Sequence, residues 1–472
     1  MFADTKPTLT SALEYLPESE IDHRTDAEIG ALINTYRPVK HEKNCWTFWH
    51  SGFDGMPRWL QRNITGWVRR LGPDWDVRCI DIVDGSPNNA LNFISAEYLP
   101  ACFLEKTMTG KTNYVHASDM VRLPLVYLVS VWLDTGTMLF RNFDDSFWNL
   151  LEDPTCPYEL FLINFHYRRH EGQVLNGFIA ARKGNPFVER CWRLFLEIWK
   201  DRSHCAGLRY HPLLRHLGLV DGTRAEKIHL ARISEGACHI MVDYLSQNYC
   251  FERVRLLVDR AERWDGPAYY RKHVCFVNAE REYWKYTAMM PTELHTKLMS
   301  LPFRPELTRE ETEGGDPPGE MPGAAELAAA VDGEAKGEMK IDEARLQQAA
   351  RDWLTNVSSS CFAAKFSGGY WWPGSGWAMP LAVSWTQPGH EDDDVKPGTW
   401  AEWLRYASTH LRQTRKMPIY GTHCADADRS SLPGFLLAEA DRVLHAGLLE
   451  PARESDGWEF IPPFEATPPE VS

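Results

Sequence analysis

Two acids and an arginine carry the chemistry that this sequence offers most openly. Asp119 and Arg122 lie three residues apart, so on a helix they share one face. Asp134 follows an apolar run, and from Val131 onward the residue types favour a strand, cut by Asp134-Thr135-Gly136. An acid just past a buried strand stands where open α/β sheets bind ligands. The interval between pair and acid, about 10–15 residues, is that of one tight helix–strand unit. Such an arrangement could hold a sugar nucleotide, with Asp119 on hydroxyls, Arg122 near charge and Asp134 on a divalent cation. Each element also has a plainer reading, as a surface ion pair or a turn residue. The combination is what points to a site.

The surrounding pattern supplies elements to position these residues. Ser118 reads as a helix N-cap with Asp119 in the first turn, and Leu123, Val126 and Tyr127 recur at helical spacing. Upstream, Asn44–Trp49 is strand-like, residues 50–57 turn the chain, and Pro57 opens a helix through Trp59, Ile64 and Trp67. Trp75–Ile82 reads as a second strand, which completes the opening of a nucleotide-binding α/β unit. Residues 88–108 look helical, and Asp144-Asp145 begin a helix through Leu151. Two further strands are expected at Glu159–Phe165 and Gln173–Ala181, the second leading through Gly184-Asn185-Pro186 into an amphipathic helix. His204, His211 and His216 form no close-spaced ligand motif and read as structural or solvated. Gly266–His273 precedes an apolar strand, Val274–Val277, and its Tyr, Arg, Lys and His could reach a diphosphate.

Ser118-Asp119-x-x-Arg122 followed by Trp132-Leu133-Asp134 resembles the core of the capsular polysaccharide synthesis type glycosyltransferases, relatives of the sugar transferases that carry a DXD motif. Trp49, Gly52, Phe53, Asp54, Met56 and Pro57 match the family's W-x-x-G-F-D-x-M-P passage. Asn176 falls in a passage similar to the family's N-x-F-x-A-x-x-x-N-P-F. Residues 397–405, PGTWAEWLR, are similar to a passage that fungal-type members carry after the transferase core. The resemblance implies an α/β fold of the GT-A nucleotide-sugar-binding kind, with a mostly parallel central sheet and a C-terminal mixed extension. It implies transfer of a sugar from a nucleotide-sugar donor, a UDP-sugar, to a hydroxyl acceptor. Asp119, Arg122 and Asp134 would then be the catalytic set, and Trp49 would stack the nucleotide base, although a strand-end Trp also serves as core. Asn176 would join Asp119 and Arg122 on the donor. A divalent metal, Mn or Mg, would sit on Asp134, with His273 as a late ligand. The chain departs from the pattern in two places. Val129-Ser130 replace a Gly-Gly, and Gly136 stands where a second acid would ligate. Those departures favour a rival reading, a degenerate protein that binds a sugar nucleotide without transferring it. A glycoside hydrolase needs two facing carboxyls, and nothing here marks such a pair.

The totals suggest two or three domains. The chain has 472 residues, 44% hydrophobic and 12% aromatic, enough for a sizeable core. Its net charge of −14 argues against nonspecific nucleic-acid binding. The 11 cysteines are widely spread with no Cys-x-x-Cys, as for reduced thiols in a cytoplasmic protein. The N-terminal residues show no basic stretch followed by an apolar core, and no apolar run is long enough to cross a bilayer. Four segments are expected: an N-terminal arm at 1–43, the transferase domain at 44–303, an acidic linker at 304–345 and an aromatic-rich extension at 346–472. The linker holds five basic against twelve acidic residues and no aromatic, so it has little to bury. Limited proteolysis should therefore nick first between Arg304 and Arg345. Earlier cleavage inside 44–303 would refute that boundary.

Overall fold

The structure is a computed structural model that describes residues 7–128, 131–164, 174–217, 243–284, 292–304, 326–327, 329–331, 342–366, 384–422, 443–458 and 460. Its strands in chain order are β1 (Leu13–Tyr15), β2 (Asn44–Phe48), β3 (Asp76–Ile80), β4 (Val131–Leu133), β5 (Thr137–Leu139), β6 (Leu160–Asn164) and β7 (Val174–Ala181). Then follow β8 (Leu257–Asp259), β9 (Trp264–Asp265), β10 (Val274–Asn278), β11 (Ala363–Lys365), β12 (Leu411–Gln413) and β13 (Leu444–His445).

The central sheet has six strands in the order β10-β6-β7-β4-β2-β3. β2 runs parallel to both neighbours, with Cys45 opposite Val77 and Val131. β6 and β10 are parallel to each other, and β7 runs against both β4 and β6. Both faces are covered, which is why these strands read as apolar runs rather than as alternating patterns. Successive residues serve opposite cores. Cys45, Val131, Leu133 and Phe178 point into one, and Trp46, Phe48, Trp132 and Ile179 into the other.

The strand directions define a functional edge. β2, β3 and β4 end there, while β7 begins there, so Trp49, Asp134, Asn176 and Gly177 gather at one side of the sheet. The helix Arg58–Leu71 covers one face. It starts after Pro57 and stops at Gly72, whose φ of 72° lets the chain turn away. The helix Asn113–Leu128 covers the other face. Ser118 does not cap it, contrary to the sequence expectation. The His116 N–H already donates to the Thr112 carbonyl at 3.0 Å, and His116, Ala117 and Asp119 are all buried. A cap is worth about 1 kcal/mol, and burial along the preceding turn outweighs it. Residues 88–108 are not one helix either. Single turns at Ala90–Asn92 and Ala96–Tyr98 and a short helix at Ala101–Leu104 are separated at Leu99-Pro100, where proline forces the preceding residue into an extended conformation.

Described segments from the first forty residues and from beyond residue 342 join this body. The helix Asp26–Asn34, capped by Thr25 in a reciprocal box with Glu28, buries Ile29 and Ile33. β1 pairs with β12, and β11 pairs with β5. One core cluster contains Leu13, Trp67, Leu133, Trp353 and Trp400. The fully buried Asp394 carboxylate receives Arg62 and Arg405, fastening the helix Trp400–His410 to Arg58–Leu71. The expected linker lies largely outside the described residues, although the helix Glu343–Ser360 begins inside it. The aromatic stretch at 370–377 lies outside them altogether. Among the described residues no helix is long and apolar enough to cross a membrane.

Because one core serves both halves, Trp400→Ala should lower the unfolding free energy of the whole chain by about 3–5 kcal/mol. Equilibrium urea unfolding followed by tryptophan fluorescence would measure it. Two separate transitions, with only the minor one shifted, would contradict a shared core.

Candidate active site

Asp134 leaves the sheet at the end of β4, and its carboxylate binds groups from three directions. Arg122 Nη2 donates to Oδ1 at 3.0 Å, and Trp132 Nε1 donates to the same oxygen at 2.8 Å. Lys365 Nζ, arriving at the end of β11, donates to Oδ2 at 2.5 Å. Burial alone would raise the carboxyl's pKa, but the charges of Lys365 and Arg122 prevail and hold it near about 2.

The charges alternate inward from there. Arg122 Nη1 donates to Asp119 Oδ1 at 2.6 Å, and His116 Nδ1 lies 3.1 Å from Asp119 Oδ2. Burial disfavours the His116 imidazolium, yet bonding to Asp119 and the neighbouring Cys205 raises its pKa to about 9. The resulting row is His116, Asp119, Arg122, Asp134 and Lys365, with signs alternating along it. Gln247, from the helix Ser246–Leu256, braces the row. Its Oε1 accepts from Arg122 and Asn176, and its Nε2 donates to the Asp119 carbonyl. The Arg122 guanidinium also lies over the Trp132 ring, 4.9 Å from its centroid.

Burial divides these groups by task. Asp119 and Arg122 are each only 3% exposed, and their carboxylate and Nη groups are taken up within the row. These groups already meet protein partners. The Asp134 side chain is 20% exposed and that of Lys365 is 14%. Asn176 is half-buried, and its Nδ2 donates to Asp119 and to Gln247, each at 3.1 Å. Trp49, one strand along the same edge, is half-buried against the core, with its Nε1 directed to the Gly55 carbonyl at 3.3 Å. Next to it His50 stacks on the exposed Tyr114 with ring centroids 3.8 Å apart.

His273 does not join this group. It stands just before the first residue of β10, level with Glu159 before β6. Following the register across β6 and β7, that is the edge where β4 begins, whereas Asp134 follows its end. Five residues of rise and three strand spacings put the two residues about 20 Å apart. His273 Nδ1 instead lies 2.8 Å from the Pro157 carbonyl, and its ring stacks on Tyr269.

The donor set does not fit the divalent metal that the sequence resemblance implies. Gly136 offers no ligand, and both Asp134 oxygens already face cations. Among the described residues no three His, Cys, Asp or Glu side chains cluster, so a metal would have to rest on Asp134 and the donor's own phosphates. The residue that the sequence reading missed is Lys365. In the sequence it stands as a lone lysine in the apolar run FAAKF, and that is the signal available.

Gly177 makes the arrangement possible. Its carbonyl accepts from the Asp134 N–H at 2.9 Å and from the Tyr283 hydroxyl at 3.2 Å. A Cβ there would stand 2.9 Å from Asp134 Oδ2, 2.9 Å from the Tyr283 hydroxyl and 3.0 Å from Lys365 Nζ.

A family model described as capsular polysaccharide synthesis protein matches residues 14–261. The chain is similar to the O-glycosyltransferase braB of Annulohypoxylon truncatum, 35% identical over 93% of this chain and 94% of that one. It is 35% identical to the glycosyltransferase afumC of Aspergillus fumigatus, over 85% of this chain and 94% of that one. It is 31% identical to the O-glycosyltransferase PaGT of Phomopsis amygdali, over 92% and 95% of the two chains. A solved glycosyltransferase structure, PaToxG, aligns at a TM-score of 0.26 and 13% identity, over 48% of this chain and 91% of that one, a likeness too slight to inform the fold.

Two outcomes follow from the geometry. Gly177→Ala should leave the fold standing, because every clashing atom is the tip of a side chain, yet should lower turnover by about tenfold or more by displacing Asp134 and Lys365. Comparing melting temperature with turnover separates these effects. His116 has a folded pKa above its unfolded value, so its contribution to stability is full below about 6.5 and fades as pH rises through about 9. Melting temperature measured from pH 6 to 10 should fall across that window, and His116→Asn should flatten the fall.

Proposed function

The chain belongs to the capsular polysaccharide synthesis protein family and is a glycosyltransferase, and from that premise we propose that it moves a sugar from a UDP-sugar to an acceptor hydroxyl at the Asp134 edge of a GT-A-like fold. The observation that carries the reading is the row of alternating charges at the end of β4, opening to solvent at Asp134 and Lys365. In support, β2, β3 and β4 run parallel and end together, where sheets of this kind bind ligands.

In the transfer, the bond between the sugar's anomeric carbon and the diphosphate oxygen breaks, and the acceptor hydroxyl oxygen bonds to that carbon. The electron pair of the broken bond stays on the diphosphate, and the hydroxyl proton passes to the medium. Negative charge therefore grows on the diphosphate, and positive groups held in advance lower that barrier most. Asp134 holds them. Asn176 has committed its amide N–H groups and presents its carbonyl to a donor hydroxyl. Asp119 and Arg122 act behind the surface, fixing Asn176 and Asp134. Trp49, with the stacked His50 and Tyr114, gives an aromatic surface at the end of β2 for the nucleotide base.

A screen of nucleotide sugars by thermal shift tests this reading. At about 100 times its dissociation constant the correct donor should stabilise the protein by about 2.7 kcal/mol, and acceptor-dependent release of the nucleoside diphosphate should follow. Asp134→Asn should lower turnover on the order of a thousandfold, because a neutral amide no longer orders two cations. A protein that no nucleotide sugar stabilises, and that releases no diphosphate, would end the proposal.

A further inference from the structure

We propose that the Lys365 ammonium is the cation that receives the donor diphosphate, and that the transfer runs without a divalent metal. The inference rests on the transferase reading and adds the identity of the positive group.

Two cations touch Asp134, and only one of them is free to act. Arg122 has both Nη groups committed, to Asp119 and Gln247 on one side and to Asp134 on the other. Its face is covered by Trp132 and it is almost completely buried. Lys365 has three N–H bonds, and among the described residues Asp134 is its one partner. It faces the bare Gly177, where the space of a single methyl separates Lys365 Nζ, Asp134 Oδ2 and the Tyr283 hydroxyl. Among the described residues the ammonium therefore keeps two donors for incoming phosphate oxygens.

The backbone holds Lys365 in this position. It ends β11 opposite Thr137, and its own N–H donates to the Tyr283 carbonyl at 3.0 Å. Asp134 completes the placement, so in this scheme Asp134 is a positioning residue and Lys365 the group that touches substrate. A divalent ion on Asp134 would have to displace Lys365 or stand beside it, against the repulsion of Arg122 as well. When the anomeric C–O bond breaks, two Lys365 N–H bonds accept no electrons and lose no proton. They hydrogen-bond the phosphate oxygen that takes the electron pair, and the acceptor proton leaves to the medium.

The experiment uses the full chain with the donor returned by the screen, and UDP or the corresponding diphosphate as binding probe. Calorimetric binding of the diphosphate and donor turnover should both be unchanged in excess EDTA and gain nothing from Mn²⁺. Lys365→Met keeps the length of the side chain and removes the charge. It should weaken diphosphate binding and lower kcat by about a hundredfold or more, with Mn²⁺ failing to restore either. Lys365→Arg should recover only part, because a planar fork cannot occupy the point beside Gly177. If EDTA abolishes binding and turnover and Mn²⁺ restores them, the inference falls while the transferase reading stands. Wild-type kcat in Lys365→Met also overturns it, and so does the absence of binding and turnover under every condition, which removes the transferase reading with it. Should Lys365→Met fail to fold, the EDTA comparison on the wild-type protein decides alone.

Discussion

One carboxylate holds two cations that would otherwise repel each other. Asp134 sits between Arg122, which belongs to the helix before β4, and Lys365, which belongs to a strand far along the chain. Without it, Arg122 would remain buried with an unanswered half, and Lys365 would lose the contact that aims it. Leaving a buried charge unpaired typically costs about 3–5 kcal/mol, so the pairing contributes to stability as well as to the site. The direction of β7 serves the same group. Because β7 runs against its neighbours, it delivers Asn176 and Gly177 at its start, to the edge where β4 delivers Asp134 at its end.

The aromatic content has a structural use. Trp59, Trp67, Trp353 and Trp400 fill the core that joins the sheet to the C-terminal helices. Phe143, Phe147, Phe161, Phe178 and Phe362 meet mostly edge to face in the same region. Large rigid side chains of this kind fix the position of β11 against β5, and so indirectly the height at which Lys365 stands. A site whose charges must align within a few tenths of an ångström needs such a floor.

Much of this was legible because it is local. Strand ends at Trp49 and Asp134, and the helix led by Asn185, whose side chain caps Phe187 and Val188, follow from residue types within a few positions. The pairing of Asp119 with Arg122 follows from helical spacing. The misplaced elements are those in which distant packing outweighs local preference. Ser118 has the chemistry of a cap, but buried neighbours extend its helix past it. His273 has the chemistry of a ligand, but strand direction carries it to the far edge. Lys365 is separated from Asp134 by 231 residues, and only strand pairing brings it near. No pattern along the chain reports such a contact.

The pairing of β1 with β12 links Glu14 to Arg412, 398 residues later. At ribosomal rates of about 5–20 residues per second, the first strand is exposed for roughly 20–80 seconds before its partner exists. For that interval it is an open edge of a growing polypeptide, the kind of edge to which chaperones or stray strands attach. The charge row matures late for the same reason, since Asp134 and Arg122 emerge well before Lys365. The chain thus passes most of its own synthesis with a site that lacks its outermost cation, and the complete set of charges exists only on chains translated past residue 365.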